Sequence, residues 1–309
     1  MRIGRVELSD GSVATGVIGD ERITLVGPDD PAFLIELLND PQRPVDGDEI
    51  EAAGARLLAP IERPPSVRDF MIFEEHVANA RQRTGRDVPD AWYQAPAFYF
   101  SNPAGIQGPD TDVRRPKGSR ALDLELEVAA IIGTEVQDID ADDPRALDAI
   151  AGFVLMNDWS ARDLQMGEMK VGLGPVKGKD FATSIGPWIV TKDELGTVTD
   201  GRWSCRVDAY VADRHVGGAD IATAHFGWNQ VVARASENTR LVPGDILGSG
   251  TVGTGCLIEL RELGKRDENP WLRDGDVVEL RGGPLGTLRN TIVGSDAAGG
   301  GRSHAVRAR

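Results

Sequence analysis

Glu125 and Glu127 are the residues whose types and spacing point most directly to chemistry. They lie in Leu122–Gly133, where apolar and acidic residues alternate as is typical of a β-strand. Side chains two positions apart on a strand face the same side, about 7 Å apart. Two carboxylates on a half-buried face raise each other's pKa, and a hard cation such as Mg²⁺, Mn²⁺ or Ca²⁺ between them removes the repulsion. Taken alone, the motif more often marks a solvated strand face, so the metal hypothesis depends on the rest of the chain.

Asp158 is a third candidate ligand. It follows the apolar segment Gly152–Met156, which predicts a buried strand that ends in a turn. Side chains at such strand ends can point into a cleft. Asp158 could therefore complete a site of three carboxylates and water, which suits an octahedral hard ion. The alternative, equally weighted for this residue alone, is an N-cap of the following turn.

His76 is the best-placed general base among the four histidines, which also include His215, His225 and His304. It lies in the first turn of a predicted helix, Glu74–Arg83, and needs a carboxylate to orient it. Spacing does not identify that carboxylate, and a surface histidine is the alternative.

Lys179 lies in a glycine-rich loop and could present an ammonium group to an oxyanion, although a solvated lysine is the commoner case. The segment GPVKGK around it lacks the spacing of a phosphate-binding loop, which argues against nucleotide binding.

Composition excludes several classes of partner. The chain has 309 residues, 40% of them hydrophobic, and a formal net charge of −15. That charge disfavours nucleic acid and anionic membrane surfaces. The two cysteines, Cys205 and Cys256, lie far apart, so we expect neither a disulfide framework nor a zinc site, and a reducing cytoplasm fits best. The sequence contains neither an apolar signal region at its start nor a run of 18 apolar residues, so we expect no signal peptide and no membrane span.

The pattern of turns divides the chain into three parts. The 37 glycines and 18 prolines favour a β-rich fold. We predict a small N-terminal domain over residues 1–65, a catalytic domain over 66–295 and a flexible tail over 296–309. In the first part we predict three short strands, a helix at Pro31–Asn39 and a second helix at Glu49–Leu58. Later segments predict a helix at Ala222–Glu237 and strands at several places: Val67–Phe73, Ala97–Ser101, Gly244–Gly250, Leu257–Leu260 and Val277–Arg281.

Four segments, in this order, resemble the fumarylacetoacetate hydrolase family, in its fumarylacetoacetase-like branch. They are LDLELEVAAIIG, GFVLMNDWSARDLQ, GPVKGKDFATSIGPWIV, and LVPGDILGSGT followed by CLIEL. The resemblance extends over about residues 66–293 and is most specific at Gly152–Gln165. It implies a mixed β-rich α+β fold, in which a catalytic domain with a rolled mixed β-sheet follows a small β-rich N-terminal domain. It also implies a homodimer that acts on a small-molecule keto acid.

The resemblance implies a role for each site residue. A divalent metal, with Mg²⁺ as the first candidate, would be held by four carboxylates: Glu125, Glu127, Asp158 and Asp69. His76 would be the general base and Glu259 the carboxylate that orients it. Negative charge on the substrate would be stabilised by Arg162, Gln165 and Lys179. Tyr99 and Thr251 match substrate-contacting positions, and Thr183 matches a position near the metal loop.

The chain departs from the family pattern at Met71 and Met169, where fumarylacetoacetases have tyrosines that contact substrate. An arginine expected after His76 has three candidate counterparts: Arg81, Arg83 and Arg86. The acylpyruvase branch places its dyad glutamate three residues after the histidine. Asn79 occupies that position here, so we favour Glu259 as the partner of His76.

These residues predict a metal-dependent hydrolase that cleaves a C–C bond in a β-diketone acid of the fumarylacetoacetate or acylpyruvate type. A bound divalent ion would polarise the diketone, and His76, held by Glu259, would deprotonate the attacking water. The alternative within the same fold is an isomerase, hydratase or decarboxylase of a 2-keto acid, which needs no water-activating dyad. A non-catalytic metal-binding scaffold is a third, less favoured hypothesis.

Overall fold

The computed structural model describes residues 1–82 and 85–295. A twelve-stranded mixed sheet dominates it, and a five-stranded sheet lies beside it. The strands are β1 Arg2–Glu7, β2 Val13–Ile18, β3 Arg22–Pro28, β4 Asp48–Glu51, β5 Arg56–Leu58, β6 Val67–Phe70, β7 Phe98–Ser101, β8 Ile106–Gln107, β9 Asp112–Arg114, β10 Leu122–Asp123, β11 Leu126–Ile132, β12 Val136–Gln137, β13 Ile150–Asp158, β14 Ser160–Ala161, β15 Thr183–Thr191, β16 Arg206–Val211, β17 Arg214–Asp220, β18 Arg240–Leu241, β19 Ile246–Gly248, β20 Val277–Arg281 and β21 Thr287–Val293.

Helices are few and short beside the sheets. The α-helices are α1 Pro31–Asn39, α2 Glu74–Gln82, α3 Arg145–Asp148, α4 Arg162–Met169, α5 Trp228–Ser236 and α6 Leu257–Glu262. The helix predicted at Pro31–Asn39 is confirmed, and Asp30 caps it by accepting a hydrogen bond from the backbone N–H of Ala32. No described helix has both the length and the apolar character that crossing a membrane requires.

The order of strands in the large sheet is β4-β3-β2-β1-β15-β13-β11-β19-β6-β7, with β5 beside β1 and β8 beside β15. The sheet is open, with β4 and β7 at the ends of this path. The five-stranded sheet has the order β17-β16-β20-β21-β9. This architecture confirms the predicted mixed, β-rich α+β class.

β11 and β13 form the centre of the large sheet. Every residue of both strands is buried, as their apolar sequences require. Alternate residues of β11 enter different hydrophobic cores. Val128, Ala130 and Ile132 pack in the larger core, whereas Ala129 and Ile131 pack in a second one with α1. The central strands are therefore fixed from both faces, which gives rigid support to the polar residues at their ends.

The N-terminal strands continue the large sheet. β1 pairs antiparallel with β15, placing Ile3 opposite Ile189. The division into domains at residue 65 stays a prediction, and the tail predicted over 296–309 lies outside the described residues.

Two predicted elements are of the wrong type, and the helix predicted at Ala222–Glu237 begins only at Trp228. The helix predicted at Glu49–Leu58 is wrong: the segment forms β4 and β5, separated by Gly54 at φ +82°. β4 pairs with β3, where Arg22 bonds to Glu49 and Glu51 across the strands.

The strand predicted at Leu257–Leu260 is also wrong, because these residues begin helix α6. The carboxylate of Asp123, distant in sequence, accepts the first amides of that helix.

Candidate active site

Four buried carboxylates meet where strands of the large sheet end. They are supplied by β6, by the short break between β10 and β11, by β11 itself and by the end of β13: Asp69, Glu125, Glu127 and Asp158. Each offers an oxygen that lies within 4.8 Å of the oxygens offered by the others. β6, β19, β11 and β13 are consecutive in the sheet, so strand order brings together residues that are far apart in sequence.

Several oxygens of this cluster have no hydrogen-bond partner among the described residues. They are Asp69 Oδ1, both oxygens of Glu127 and Asp158 Oδ1, all of them buried. A buried carboxylate oxygen without a partner is costly unless a cation takes the place of water. An all-oxygen donor set is what Mg²⁺, Mn²⁺ and Ca²⁺ prefer. The residues present therefore fit a hard divalent cation.

The pKa values in the cluster differ with the neighbours of each group. Burial, followed by the charge of Asp158, raises the pKa of Asp69 well above its usual range. Burial and the charge of Asp69 do the same for the pKa of Glu127. The pKa of Glu125 is instead lowered, because the attraction of Arg162 and Lys179 outweighs burial. The expectation that Glu125 and Glu127 raise each other's pKa is therefore wrong for Glu125.

Two cations border the carboxylates. Lys179 Nζ donates to Glu125 Oε2 and, over 2.6 Å, to Asp158 Oδ2. Arg162 Nη2 donates to Glu125 Oε1 over 2.7 Å, and its Nη1 donates to Gln165 Oε1 over 3.1 Å. Burial lowers the pKa of Lys179, but the charges of Asp158 and Glu125 outweigh it and raise this pKa overall. Lys179 is thus held as a buried ammonium beside the cluster.

His76 and Glu259 form a hydrogen-bonded pair. Nδ1 of His76 lies 2.6 Å from Oε1 of Glu259, which also accepts from the thiol of Cys256. The other oxygen, Oε2, accepts from Nδ2 of Asn79 and from the backbone N–H of Thr254, both over 2.9 Å. A carboxylate only accepts, so Nδ1 of His76 carries the proton and Nε2 is left as the basic nitrogen.

A cavity of about 540 Å³ joins the cations, the base and most of the carboxylates. Tyr99, Thr251, Met71 and Met169 line it, as the resemblance implies. The hydroxyl of Tyr99 donates to Asp158 Oδ2. Among the predicted site residues, Asp158 and Glu259 do not line the cavity but contact residues that do. All members of the predicted set are therefore close together, while their roles stay predictions.

The arginine expected after His76 has no counterpart at this cavity in the part of the chain that the structure describes. Arg81 donates to the carbonyl of Asp87, Arg86 is exposed, and neither lines the cavity. Arg83 lies outside the described residues. Thr183, predicted near the metal loop, is buried, and its Oγ1 lies 3.5 Å from Oγ of Ser101.

Sequence reasoning missed two polar residues that hold the site. The alternating pattern of Leu122–Gly133 places Asp123 on the acidic strand face and suggests no further role, but its carboxylate binds Arg162 and the start of α6. The family pattern marks Asn79 as the place where a glutamate is missing, but it donates to Glu259. The helical spacing of Asn79, three residues after His76, was a usable signal, because such residues share a helix face.

The chain is similar to known proteins in sequence and in fold. A family model described as "Fumarylacetoacetate (FAA) hydrolase C-terminal" matches residues 66–293. The chain is 32% identical to fumarylacetoacetase of Arabidopsis thaliana, over 62% of this chain and 58% of that protein. It is 32% identical to 2,4-didehydro-3-deoxy-L-rhamnonate hydrolase of Sphingomonas sp. (strain SKA58), over 64% of this chain and 65% of that protein. In both cases the match spans less than two thirds of the relative's length.

A solved structure extends the similarity to nearly the whole chain. The 5-carboxymethyl-2-hydroxymuconate delta-isomerase from Mycobacterium smegmatis superposes with a TM-score of 0.70 at 25% identity, over 95% of this chain and 100% of that one. Proteins named as hydrolases and as an isomerase therefore share this sequence pattern or this fold.

Proposed function

This chain belongs to the fumarylacetoacetate hydrolase family, and we propose that it is a metal-dependent hydrolase that cleaves a C–C bond in a β-diketone acid. The substrate is of the fumarylacetoacetate or acylpyruvate type. The observation that supports this reaction most directly is the His76–Glu259 pair, whose histidine lines the same cavity as the carboxylate cluster. Hydrolysis needs an activated water, and this pair is built to activate one.

The carboxylates that would hold the metal are those with unpartnered oxygens together with Glu125: Asp69, Glu125, Glu127 and Asp158. When bound, a divalent cation supplies the positive charge that polarises the diketone oxygens and balances the charge of the enolate. Mg²⁺ is the first candidate for this cation. Mn²⁺ and Ca²⁺ suit the same oxygen donors.

His76 acts as the general base in this proposal. Its Nε2 takes a proton from water, whose oxygen bonds to the distal carbonyl carbon of the substrate. Glu259 stabilises the resulting imidazolium because its carboxylate accepts the hydrogen bond from Nδ1. The C–C bond then breaks, its electron pair stays on the pyruvate-like fragment as an enolate, and a proton returns to that carbon. The products are two acids.

The negative charge that develops on the substrate is stabilised by three side chains: Arg162, Lys179 and Gln165. All three line the cavity, and the ion pairs with Glu125 and Asp158 fix both cations before substrate arrives. Groups fixed in advance stabilise a transition state without reorganising.

The second candidate function is an isomerase, hydratase or decarboxylase of a 2-keto acid, and the similarity to a solved isomerase favours it. Such reactions use the enolate but need no attacking water. The His76–Glu259 pair is the feature that they leave unexplained. The homodimer that the resemblance implies and the cytoplasmic location that the cysteine content favours stay predictions.

Product analysis in ¹⁸O-labelled water separates these functions. The Mg²⁺-loaded protein is incubated with an acylpyruvate, and the products are analysed by mass spectrometry. Hydrolysis yields two acids, with one labelled oxygen atom entering the acyl fragment. Release of CO₂, or a product of unchanged mass, would refute hydrolysis. His76→Asn serves as the matched control that keeps the carboxylate cluster.

A further inference from the structure

We infer that Asp123 is a positioning residue that fixes Arg162 and the helix carrying Glu259 relative to each other. The inference rests on the proposed function, because it concerns how the base and the charge-stabilising cation are held for one reaction. Asp123 is completely buried, and its side chain is absent from the cavity lining. Its carboxylate therefore lies behind the cavity wall, and its contacts are with the groups that it binds.

The first of these groups is the N-terminus of α6. Oδ1 of Asp123 accepts the backbone N–H of Leu257 over 2.8 Å, and Oδ2 accepts that of Ile258 over 3.0 Å. These are the first two residues of the helix, and its own N-cap residue, Cys256, provides no side-chain cap. Amides at a helix start need such acceptors. Asp123, which lies in strand β10, thus caps α6, and Glu259 follows Ile258 in that helix.

The second group is the guanidinium of Arg162. Its Nε donates to Oδ2 of Asp123 over 2.8 Å, while its Nη2 donates to Glu125. Two contacts from different nitrogens fix the plane of the guanidinium, because its donors form a rigid fork. The remaining nitrogen, Nη1, faces Gln165. Asp123 therefore determines which edge of Arg162 is turned toward the cavity.

The carboxylate of Asp123 thus accepts three hydrogen bonds, two from the start of α6 and one from Arg162. The helix that carries Glu259 and the guanidinium of Arg162 are the two halves of the proposed machinery. Asparagine has the same shape, but its amide has one accepting oxygen and one donating nitrogen. In either orientation the NH₂ group faces a donor, either Arg162 Nε or an amide of α6. A buried donor without an acceptor is costly, so at least one half should move.

The test compares Asp123→Asn with wild type in the Mg²⁺-loaded enzyme. We expect kcat for an acylpyruvate to fall about 10- to 100-fold, the range typical of residues that orient a site, while KM changes less than about threefold. Where the first turn of α6 is the part that moves, the effect should shrink in a Glu259→Gln background, since both changes then act on the same base. An unchanged kcat would overturn the inference.

Asp245→Asn is the matched control. Asp245 is also buried, and it accepts from the backbone N–H of Val242 and from Arg68, but it does not line the cavity. We expect this variant to lose stability while keeping kcat and KM. If Asp245→Asn lost as much kcat as Asp123→Asn, a general structural effect would explain both, and the inference would be wrong.

A crystal structure of Asp123→Asn provides a readout that is independent of activity. The inference requires the Arg162 guanidinium or the first turn of α6 to shift, and unchanged positions of both would refute it. If Asp123→Asn does not fold, Asp123→Ser, which keeps one acceptor, replaces it in the same measurements. Wild-type protein that releases no acid from any β-diketone acid would refute the proposed function, whereas the crystal structure would still test the positioning by Asp123.

Discussion

Oε1 of Glu259 lies 2.6 Å from Nδ1 of His76, although 183 positions separate the two residues in the sequence. The same carboxylate is held on its other oxygen by Asn79 and by the backbone of Thr254. Donors on both oxygens leave it little rotational freedom. His76 is therefore presented to the cavity by a support that is itself fixed, which is how general bases are oriented in hydrolases.

The first prediction concerns this pair. His76→Asn should lower kcat for a β-diketone acid by about 10²- to 10⁴-fold, the usual contribution of a general base. Glu259→Gln should lower kcat more than it changes KM, because the interaction strengthens as the imidazolium forms. Steady-state kinetics of both variants, with the exposed His215→Asn as control, tests this. Wild-type rates in both variants would reject the dyad and favour an isomerase or decarboxylase.

The second prediction concerns the metal. Titration calorimetry should show one hard divalent cation per chain, and chelation by EDTA should abolish turnover. Glu127→Gln should bind the cation at least about tenfold more weakly but remain folded. Burial raises the pKa of Glu127, so its negative charge does not stabilise the metal-free fold, and glutamine keeps the shape of the side chain. Full activity after exhaustive chelation would contradict the metal assignment.

The third prediction concerns pH. The metal-free protein should lose stability as pH rises above about 4, the ordinary pKa of these groups, because burial raises the pKa of both Asp69 and Glu127. Above their ordinary pKa these carboxyls are ionised in the unfolded chain but still protonated in the folded one. Unfolding then releases protons, so higher pH favours the unfolded state until the raised pKa is passed.

A bound cation should remove this dependence, since it stabilises the ionised carboxylates. The measurement is the free energy of unfolding in urea between about pH 5 and pH 8, with EDTA and with excess Mg²⁺. The gap between the two series should widen as pH rises. A constant gap would show that Asp69 and Glu127 do not take up the cation in place of protons.

The fourth prediction concerns Thr254, which has φ +63° while its N–H donates to Glu259. A β-branched residue is strained in this left-handed region. Thr254→Gly should therefore be more stable than Thr254→Ala, by about 1 kcal/mol, because only glycine adopts the conformation without that strain. Both variants keep the N–H donor. Equal free energies of unfolding in denaturant would show that the backbone relaxes at this position.

The sequence predicted the centre of the fold well. The apolar runs of β11 and β13 identified buried strands, and the acidic residues at their ends indicated a common site. Both signals are local, because alternation and hydrophobic runs are read within one segment. The segment CLIEL gave a wrong prediction because the signal that decides its structure is not local. Its helix begins on a cap supplied by Asp123, 134 positions earlier, which no local pattern reveals.

The partners of individual side chains were less accessible from the residues alone. Spacing did not say which carboxylate binds His76, and the resemblance supplied Glu259. The pKa of Glu125 was predicted in the wrong direction, because Arg162 and Lys179 reach it from other segments. Pairings between distant segments depend on strand order, and the order β6-β19-β11-β13 could not be derived from the sequence.

The last prediction concerns the substrate's distal group. Met71 and Met169 line the cavity at positions where fumarylacetoacetases have tyrosines, and Met169 is 54% exposed. Met169 also lies four residues after Gln165 on the same face of α4, so it borders the catalytic groups. A methionine is flexible and apolar and offers no hydroxyl. The enzyme should therefore prefer a less polar acyl group than fumaryl.

The measurement is kcat/KM for fumarylacetoacetate and for acylpyruvates with alkyl tails. Wild type should favour the alkyl tails, and Met169→Tyr should shift the ratio toward fumarylacetoacetate by about tenfold, the effect of one hydrogen bond to a substrate. Tyr93 and Arg81 are the alternative sources of polar contact, but Tyr93 donates to Glu74 and neither residue lines the cavity. A strong wild-type preference for fumarylacetoacetate that Met169→Tyr weakens would reject this view of the pocket and leave the hydrolase proposal intact.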